Sequence, residues 1–489
     1  MNTFMNGLVN ETNFGLTENG AVKHNTTKSA VLDMFALCGA YRRRSEEDCI
    51  LAFKNAYEEN PMLALKCLFY LRDCRGGQGE RRFFRVCFKW LTNNHPDAAK
   101  RNLINVSEYG RWDDLIYATV DTRLEKNALA IVAKQLALDN SCKTPSLLAK
   151  WLPSENASSK ETKRVANIVR TGLGMTHKEY RQILSALRTK INIVEKLMSQ
   201  NRWEEIEFDK IPSKAGLVYK NAFARRDLIA KKYEAFAKDE TKTVNASTLY
   251  PYDVAHKAFA AYSQKVDSAD RLMIQKYWDA LPNYYGDNEE NGLAIVDTSG
   301  SMSGQPLEAA VSLGAYIAEK AHGPFAGHFI TFSHRPELIK FEGVDITDKF
   351  NRAKRASWEM NTDLKAVFNM LLKVAKNNNT KTEDMPQRLY IFSDMEFDGC
   401  LSLGYNQTEG KINTLLENIA KEWAVAGYEL PKVVFWNLDA RTQNIPALGG
   451  RFSYVSGLSP IMIETILSGK DGYDLMLAKL MSKRYEAVE

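Results

Sequence analysis

The sequence predicts two folds in one chain: an N-terminal α-solenoid of HEAT-like paired helices, then a doubly wound, Rossmann-like α/β domain. Three observations carry this. Strand signals are nearly absent before residue 290, while apolar residues recur at helical spacing. After residue 290, short apolar runs alternate with amphipathic segments, the signature of parallel strands crossed over by helices. Between the two patterns lies a polar, acidic stretch, 281–290, which reads as a linker. The expected divisions are an N-terminal arm at 1–25, a helical-repeat domain at 26–285 and an α/β domain at 291–489.

The arm is rich in Asn, Thr and Gly and reads as extended chain. Helices are expected from 30–40, 46–57, 61–72, 83–91, 97–109, 112–119 and 124–140. Further segments follow at 159–172, 177–190, 192–201, 214–238, 253–262 and 268–281. No fixed period is visible, so any repeat is degenerate. Beyond the linker, strands are expected at 293–296, 328–332, 388–393, 432–437 and 452–455. Helices are expected at 306–321, 364–375, 411–426, 460–467 and 472–483.

At 489 residues, with 45% apolar and 26% charged residues, the chain is of ordinary globular composition. No apolar run is long enough to span a bilayer, and residues 1–20 lack a basic start followed by an apolar core. Seven cysteines, none in a C-x-x-C pair, are expected to be free thiols of a cytoplasmic, monomeric protein. The net charge of +5 hides a division. Residues 1–285 carry 44 Lys+Arg against 33 Asp+Glu, a net of +11, and the remainder carries −6. Such asymmetry points to a polyanion for the basic half, the bland alternative being a Lys-rich solvated surface.

Two basic windows stand out. One surrounds the loop Arg72-Asp73-Cys74-Arg75-Gly76-Gly77-Gln78-Gly79-Glu80-Arg81-Arg82, with Arg85 beyond it. Its glycines would let backbone N–H groups approach a phosphate at a helix start, or would serve a tight interhelical turn. It lacks the Gly-Lys-Ser/Thr ending of a P-loop, which excludes a nucleoside triphosphatase reading. The other window, 150–232, holds 18 basic and 9 acidic residues. Lys160, Lys163, Arg164, Arg170, Arg181, Arg188, Lys214, Lys220 and Arg225 are its candidate phosphate contacts. Trp112, Trp151, Trp203 and Tyr219 would either stack on bases or fill the core.

The most informative stretch is 291–305. Leu293 to Val296 run into Asp297-Thr298-Ser299-Gly300-Ser301, and a helix follows. Oxygen donors thus gather at the carboxyl end of a strand, where open α/β sheets place ligands. Hard oxygens without neighbouring His or Cys suit Mg²⁺ rather than zinc. Alone, the motif also fits an ordinary strand-to-helix turn with a Ser cap.

The pattern resembles the metal-ion-dependent adhesion site of von Willebrand factor A domains: Asp-x-Ser-x-Ser, a distant Thr, a distant Asp. Asp297, Ser299 and Ser301 match the first loop, Thr362 the second and Asp394 the third. The resemblance implies direct contact of both serines with Mg²⁺, with the aspartates acting through water. A helical half followed by such a domain is similar to the Ro ribonucleoprotein autoantigen (TROVE) family. That likeness implies a ring of helical repeats that binds small structured or single-ended RNA without catalysis. Local motifs such as Gly110-Arg111-Trp112-Asp113-Asp114 and Lys150-Trp151-Leu152-Pro153-Ser154 look closer to a related family of unknown function.

Two other readings stay open. The cation could accept a carboxylate from a partner protein, the helices serving as scaffold without RNA. Asp363, Glu396 and Asp398 could add carboxylates for a metal-dependent nuclease, or be loop caps. The seven histidines, scattered from His24 to His334, form no zinc pattern.

Overall fold

The structure, a computed structural model, describes residues 12–191, 193–262, 268–332, 335–354, 363–398 and 414–489. The chain forms two compact units. One comprises Met1–Ser45, Glu58–Asn60 and Leu249–Leu480; the other comprises Glu46–Tyr57, Pro61–Thr248 and Met481–Glu489. The sequence reading places the division at 281–290 instead. The physical reason for the difference lies in two helices, described below, whose apolar faces are buried against the sheet-bearing unit. The polar stretch announces a strand rather than a change of core. The charge division is the same for the observed units. The helical unit carries 37 Lys+Arg and 26 Asp+Glu, +11, and the sheet unit carries −6.

The expected N-terminal arm is folded from residue 14 onward. β1 (Phe14–Leu16) and β2 (Val22–His24) pair antiparallel, Phe14 opposite His24. α1 (Ala30–Leu37) starts at Ser29, whose side chain accepts from the Leu32 N–H.

The helical unit contains α2 (Glu46–Glu59, shared at its end with the other unit), α3 (Pro61–Arg72) and α4 (Arg81–Asn94). α5 (Pro96–Asn102), α6 (Val106–Tyr109), α7 (Trp112–Thr119) and α8 (Glu125–Ser141) follow. α9 (Leu148–Trp151), α10 (Lys160–Gly172), α11 (His177–Lys190) and α12 (Val194–Ser199) come next. α13 (Ser213–Ala224) and α14 (Asp227–Lys238) complete it. Starts are chemically marked: Ser159 caps α10, and Thr176 with Glu179 forms a reciprocal box at α11. The expected helix 214–238 is broken, with Arg225 and Arg226 between α13 and α14. α3, α4 and α7 pack around Phe69, Phe84 and Phe88, whose rings lie 5.3 to 6.1 Å apart. The last residues of the chain close this core, Tyr485 stacking on Tyr109 at 5.5 Å.

In the sheet unit, α15 (Pro251–Tyr262) and α16 (Ser268–Asp279) precede the sheet. β3 (Gly292–Val296), α17 (Gln305–Lys320), β4 (His328–Thr331), β5 (Leu338–Lys340) and α18 (Ile346–Lys354) follow. Then come α19 (Leu364–Asn377), β6 (Arg388–Ser393), α20 (Leu415–Val425), β7 (Lys432–Asn437), β8 (Phe452–Ser456), α21 (Met462–Leu467) and α22 (Gly472–Leu480). α15 and α16 anchor here through Phe259 and Trp278, whose rings pack on Phe350 of α18 at 5.1 and 5.3 Å.

The strand order is β5-β4-β3-β6-β7-β8, parallel except for the β5 edge. Every residue of β3, β6 and β8 is buried, so both faces are covered and the strands need not alternate. α17 lies close against β3: a Cβ on Gly314 would come within 2.4 Å of the Val296 side chain. β3 has β4 on one side and β6 on the other, so chain progression reverses between β3 and β6. That reversal opens a crevice at the carboxyl ends of these two strands. β5, α18 and the N-terminal hairpin are not in the sequence reading. The three-residue strands are too short to carry a period, and β5 is largely exposed, whereas α18 buries Ile346, Phe350 and Ala353 at helical spacing, a signal present in the sequence.

Candidate metal centre

Asp297 is the first residue beyond β3, and its N–H donates to the Phe392 carbonyl of β6 at 3.0 Å. Strand pairing therefore fixes its carboxylate at the crevice. Oδ1 accepts the Ser299 N–H at 2.9 Å, and Oδ2 accepts the Ser393 hydroxyl at 2.5 Å. Ser299 and Ser301 sit on the turn that follows, their hydroxyl oxygens 3.0 Å apart. Asp394 is the first residue beyond β6. Its Oδ1 accepts the Glu396 N–H at 3.2 Å, its Oδ2 accepts from Arg441 at 2.8 Å, and it also hydrogen-bonds the Ser301 side chain. Four of the five expected ligands, Asp297, Ser299, Ser301 and Asp394, thus converge. Thr362 lies outside the described residues.

The electrostatics fit a cation. Asp297 is wholly buried, and the hydroxyl and the amide that donate to it are both neutral. Burial, and next the charge of Asp394, push its carboxyl well above the usual carboxylate range. Burial likewise raises Asp394, against the opposing Arg441. Two buried carboxylates side by side are relieved either by holding a proton, as the raised values indicate, or by positive charge beyond the one guanidinium. Among the described residues, no three carboxylate, imidazole or thiolate groups converge on one point. A cation here would rest on hydroxyls and two carboxylates, the donor set of Mg²⁺ with retained waters.

The remaining acidic candidates are occupied locally. Asp363 caps α19 through the Ala366 N–H at 2.8 Å. Glu396 is buried, accepting from Thr442 at 2.6 Å and from the Glu18 N–H at 2.8 Å. Asp398 bridges to Gly20 of the hairpin. The hairpin thus seals the third loop: Asn19 also donates to the Glu396 carbonyl and Thr17 to the Phe397 carbonyl. Met395 in this loop has φ of 65°, a strained position for a non-glycine residue.

Within the helical unit the basic candidates separate. Arg72 is buried and ion-paired with Asp114 at 2.6 Å, so it is not available to a phosphate. Arg85 bridges Asp113 and Asp114 at 2.8 and 2.7 Å. Arg188 is a structural latch, donating to the Ala149 and Leu152 carbonyls and to Ser154. Arg170 pairs with Glu155 at 3.1 Å, and Arg164 with Asp121 and Glu161. Arg82 is half-buried against Cys49. Arg75, Arg81, Lys160, Lys163, Arg181, Lys214 and Arg225 are exposed, and Lys220 is partly so. The sequence does not separate these groups: Asp113-Asp114 offers two carboxylates, but only the fold brings Arg72 and Arg85 to them.

The glycine loop is a turn. Gly79 and Glu80 donate to the carbonyls of Asp73 and Leu71, and Gln78 to Tyr70, so these amides are engaged. Asp73 accepts two bonds from Arg484 and one from Tyr485. A Cβ on Gly77 would lie 1.9 Å from the Tyr70 carbonyl oxygen. Trp151 carries Arg111 over its ring at 3.9 Å and Trp203 carries Arg226 at 4.3 Å, so one face of each ring is already covered by a cation.

Residues 17–120 and 137–282 match the family described as Domain of unknown function (DUF2828). Residues 291–486 match Domain of unknown function (DUF7788). The chain is 30% identical over 504 residues to an uncharacterized protein, L728, of Acanthamoeba polyphaga mimivirus, spanning 94% of this chain and 85% of the viral one.

Proposed function

This chain belongs to the DUF2828 family, and from that premise we propose that it is a non-catalytic, cation-dependent binding protein. Its C-terminal part is a von Willebrand A-type domain that holds Mg²⁺ through Ser299 and Ser301, with Asp297 and Asp394 behind them. The observation that carries this reading is the convergence of those four side chains at the sheet's reversal point. Mg²⁺ supplies an open coordination position, and a carboxylate from a partner protein completes the shell. Free thiols at all six described cysteines support a cytoplasmic location. A pull-down from cell lysate tests it. Partners retained in Mg²⁺, lost in chelator and lost in Asp297→Asn support the reading. Retention indifferent to both would end it.

A second reading rests on the +11 of the helical unit. There the helices bind small structured or single-ended RNA, as the Ro resemblance implies, in a closed solenoid. The exposed Arg75, Arg81, Lys160, Lys163 and Arg181 supply the phosphate contacts. Filter binding over a salt series tests it: affinity must fall steeply with salt. Absence of affinity at low salt would remove this reading and leave the first standing.

A further inference from the structure

The candidate centre contains a cation that the loop motifs do not include. Arg441, shortly beyond β7, donates to Asp394 Oδ2 at 2.8 Å. Its other terminal nitrogen lies 3.2 Å from Glu18 Oε2 on the N-terminal hairpin. The Arg441 side chain is 29% exposed and Glu18 48%, whereas Asp394 is fully covered. Arg441 Nε is buried without a hydrogen-bond partner among the described residues. The guanidinium is therefore shared between two carboxylates and held completely by neither.

We propose that Arg441 is a built-in countercharge that sets the divalent-cation affinity of this centre, neutralising Asp394 in the cation-free protein and passing to Glu18 when a cation binds. The inference rests on the cation-site reading above. A divalent ion beside Asp394 places two positive charges close to a guanidinium that cannot lose its proton. Relief must come by movement, and Glu18 is already within reach. Glu18 is itself held in place, because its N–H and the Asn19 side chain are tied to Glu396. Partial exposure of Arg441 lets it shift without opening the core. The hairpin thereby senses occupancy of the site.

Isothermal titration of the full chain with Mg²⁺ and Mn²⁺ tests this, using wild type, Arg441→Gln, Arg441→Lys and Glu18→Gln. Removing the positive charge in Arg441→Gln should tighten binding about tenfold at low salt, and less at high salt. Arg441→Lys keeps the charge and should stay near wild type. Glu18→Gln removes the alternative partner and should weaken binding several-fold. A folded Arg441→Gln with equal or weaker affinity would overturn the inference, since it would mark Arg441 as a mere support for Asp394. Should Arg441→Gln not fold, Glu18→Gln at wild-type affinity would overturn it equally. If no variant and no wild type binds either ion, the cation-site reading itself falls, and the inference with it.

Discussion

The Ser393 hydroxyl donates to Asp297 Oδ2 at 2.5 Å, joining the last residue of β6 to the first residue beyond β3. The same hydroxyl accepts the Met395 N–H at 2.9 Å. One side chain therefore sets both the first and the third loop of the candidate centre. Ser393→Ala should cost about 1–3 kcal/mol of stability, the range for leaving a buried acceptor unsatisfied. Chemical denaturation measures it; a loss well under that range would mean the bond is not made in solution.

Asp297→Asn separates the cation role from a fold role. It removes a buried charge and keeps the shape, but its single amide oxygen can accept from only one of the two donors, the Ser393 hydroxyl or the Ser299 N–H, and that lost bond offsets the gain from removing the charge. Without divalent ions its stability should stay within about 1 kcal/mol of wild type or rise. Its melting temperature should no longer respond to Mg²⁺. A variant that still gains stability from Mg²⁺ would show that the ion binds elsewhere.

Gly77 tests the glycine loop. With 1.9 Å to the Tyr70 carbonyl, Gly77→Ala must displace backbone and should destabilise the helical unit by roughly 3 kcal/mol or more. A tolerated alanine, with RNA affinity lost instead, would return the loop to the role of phosphate cradle.

Asp114 gives a pH signature. Burial alone would raise its pKa, but the Arg72 and Arg85 guanidinium groups outweigh burial and hold it below its usual value. A depressed folded-state pKa contributes stability above the unfolded value of about 3.9, lost as pH falls through the folded one. Acid titration of stability should therefore show a loss below about pH 4 that Asp114→Asn lacks. At neutral pH, Asp114→Ala should cost about 3–5 kcal/mol by leaving buried Arg72 unpaired. Charge reversal at exposed Lys163 should leave stability unchanged within about 0.5 kcal/mol.

Much of the fold and of the centre is legible in the sequence. Uninterrupted apolar runs announce β3, β6 and β7, and the small polar residues after β3 announce the crevice, because parallel strands buried on both faces need not alternate. The resemblance to the adhesion-site pattern is what pairs the first and third loops, each of which follows such a run directly. Arg441 escapes this route, being brought to Asp394 only by the β6–β7 neighbourhood. The hairpin 14–24 escapes it because three-residue strands carry no period. Charge counting finds the cationic unit but does not separate Arg72 and Arg188, consumed by buried partners, from exposed Lys160 and Lys163.

A manganese titration followed by electron paramagnetic resonance tests the central claim most directly. Free Mn²⁺ signal should be depleted to a one-to-one end point by wild type, and not by Asp297→Asn or Ser299→Ala. Depletion identical in all three proteins, or none in wild type, would contradict a divalent-cation centre at the junction of β3 and β6.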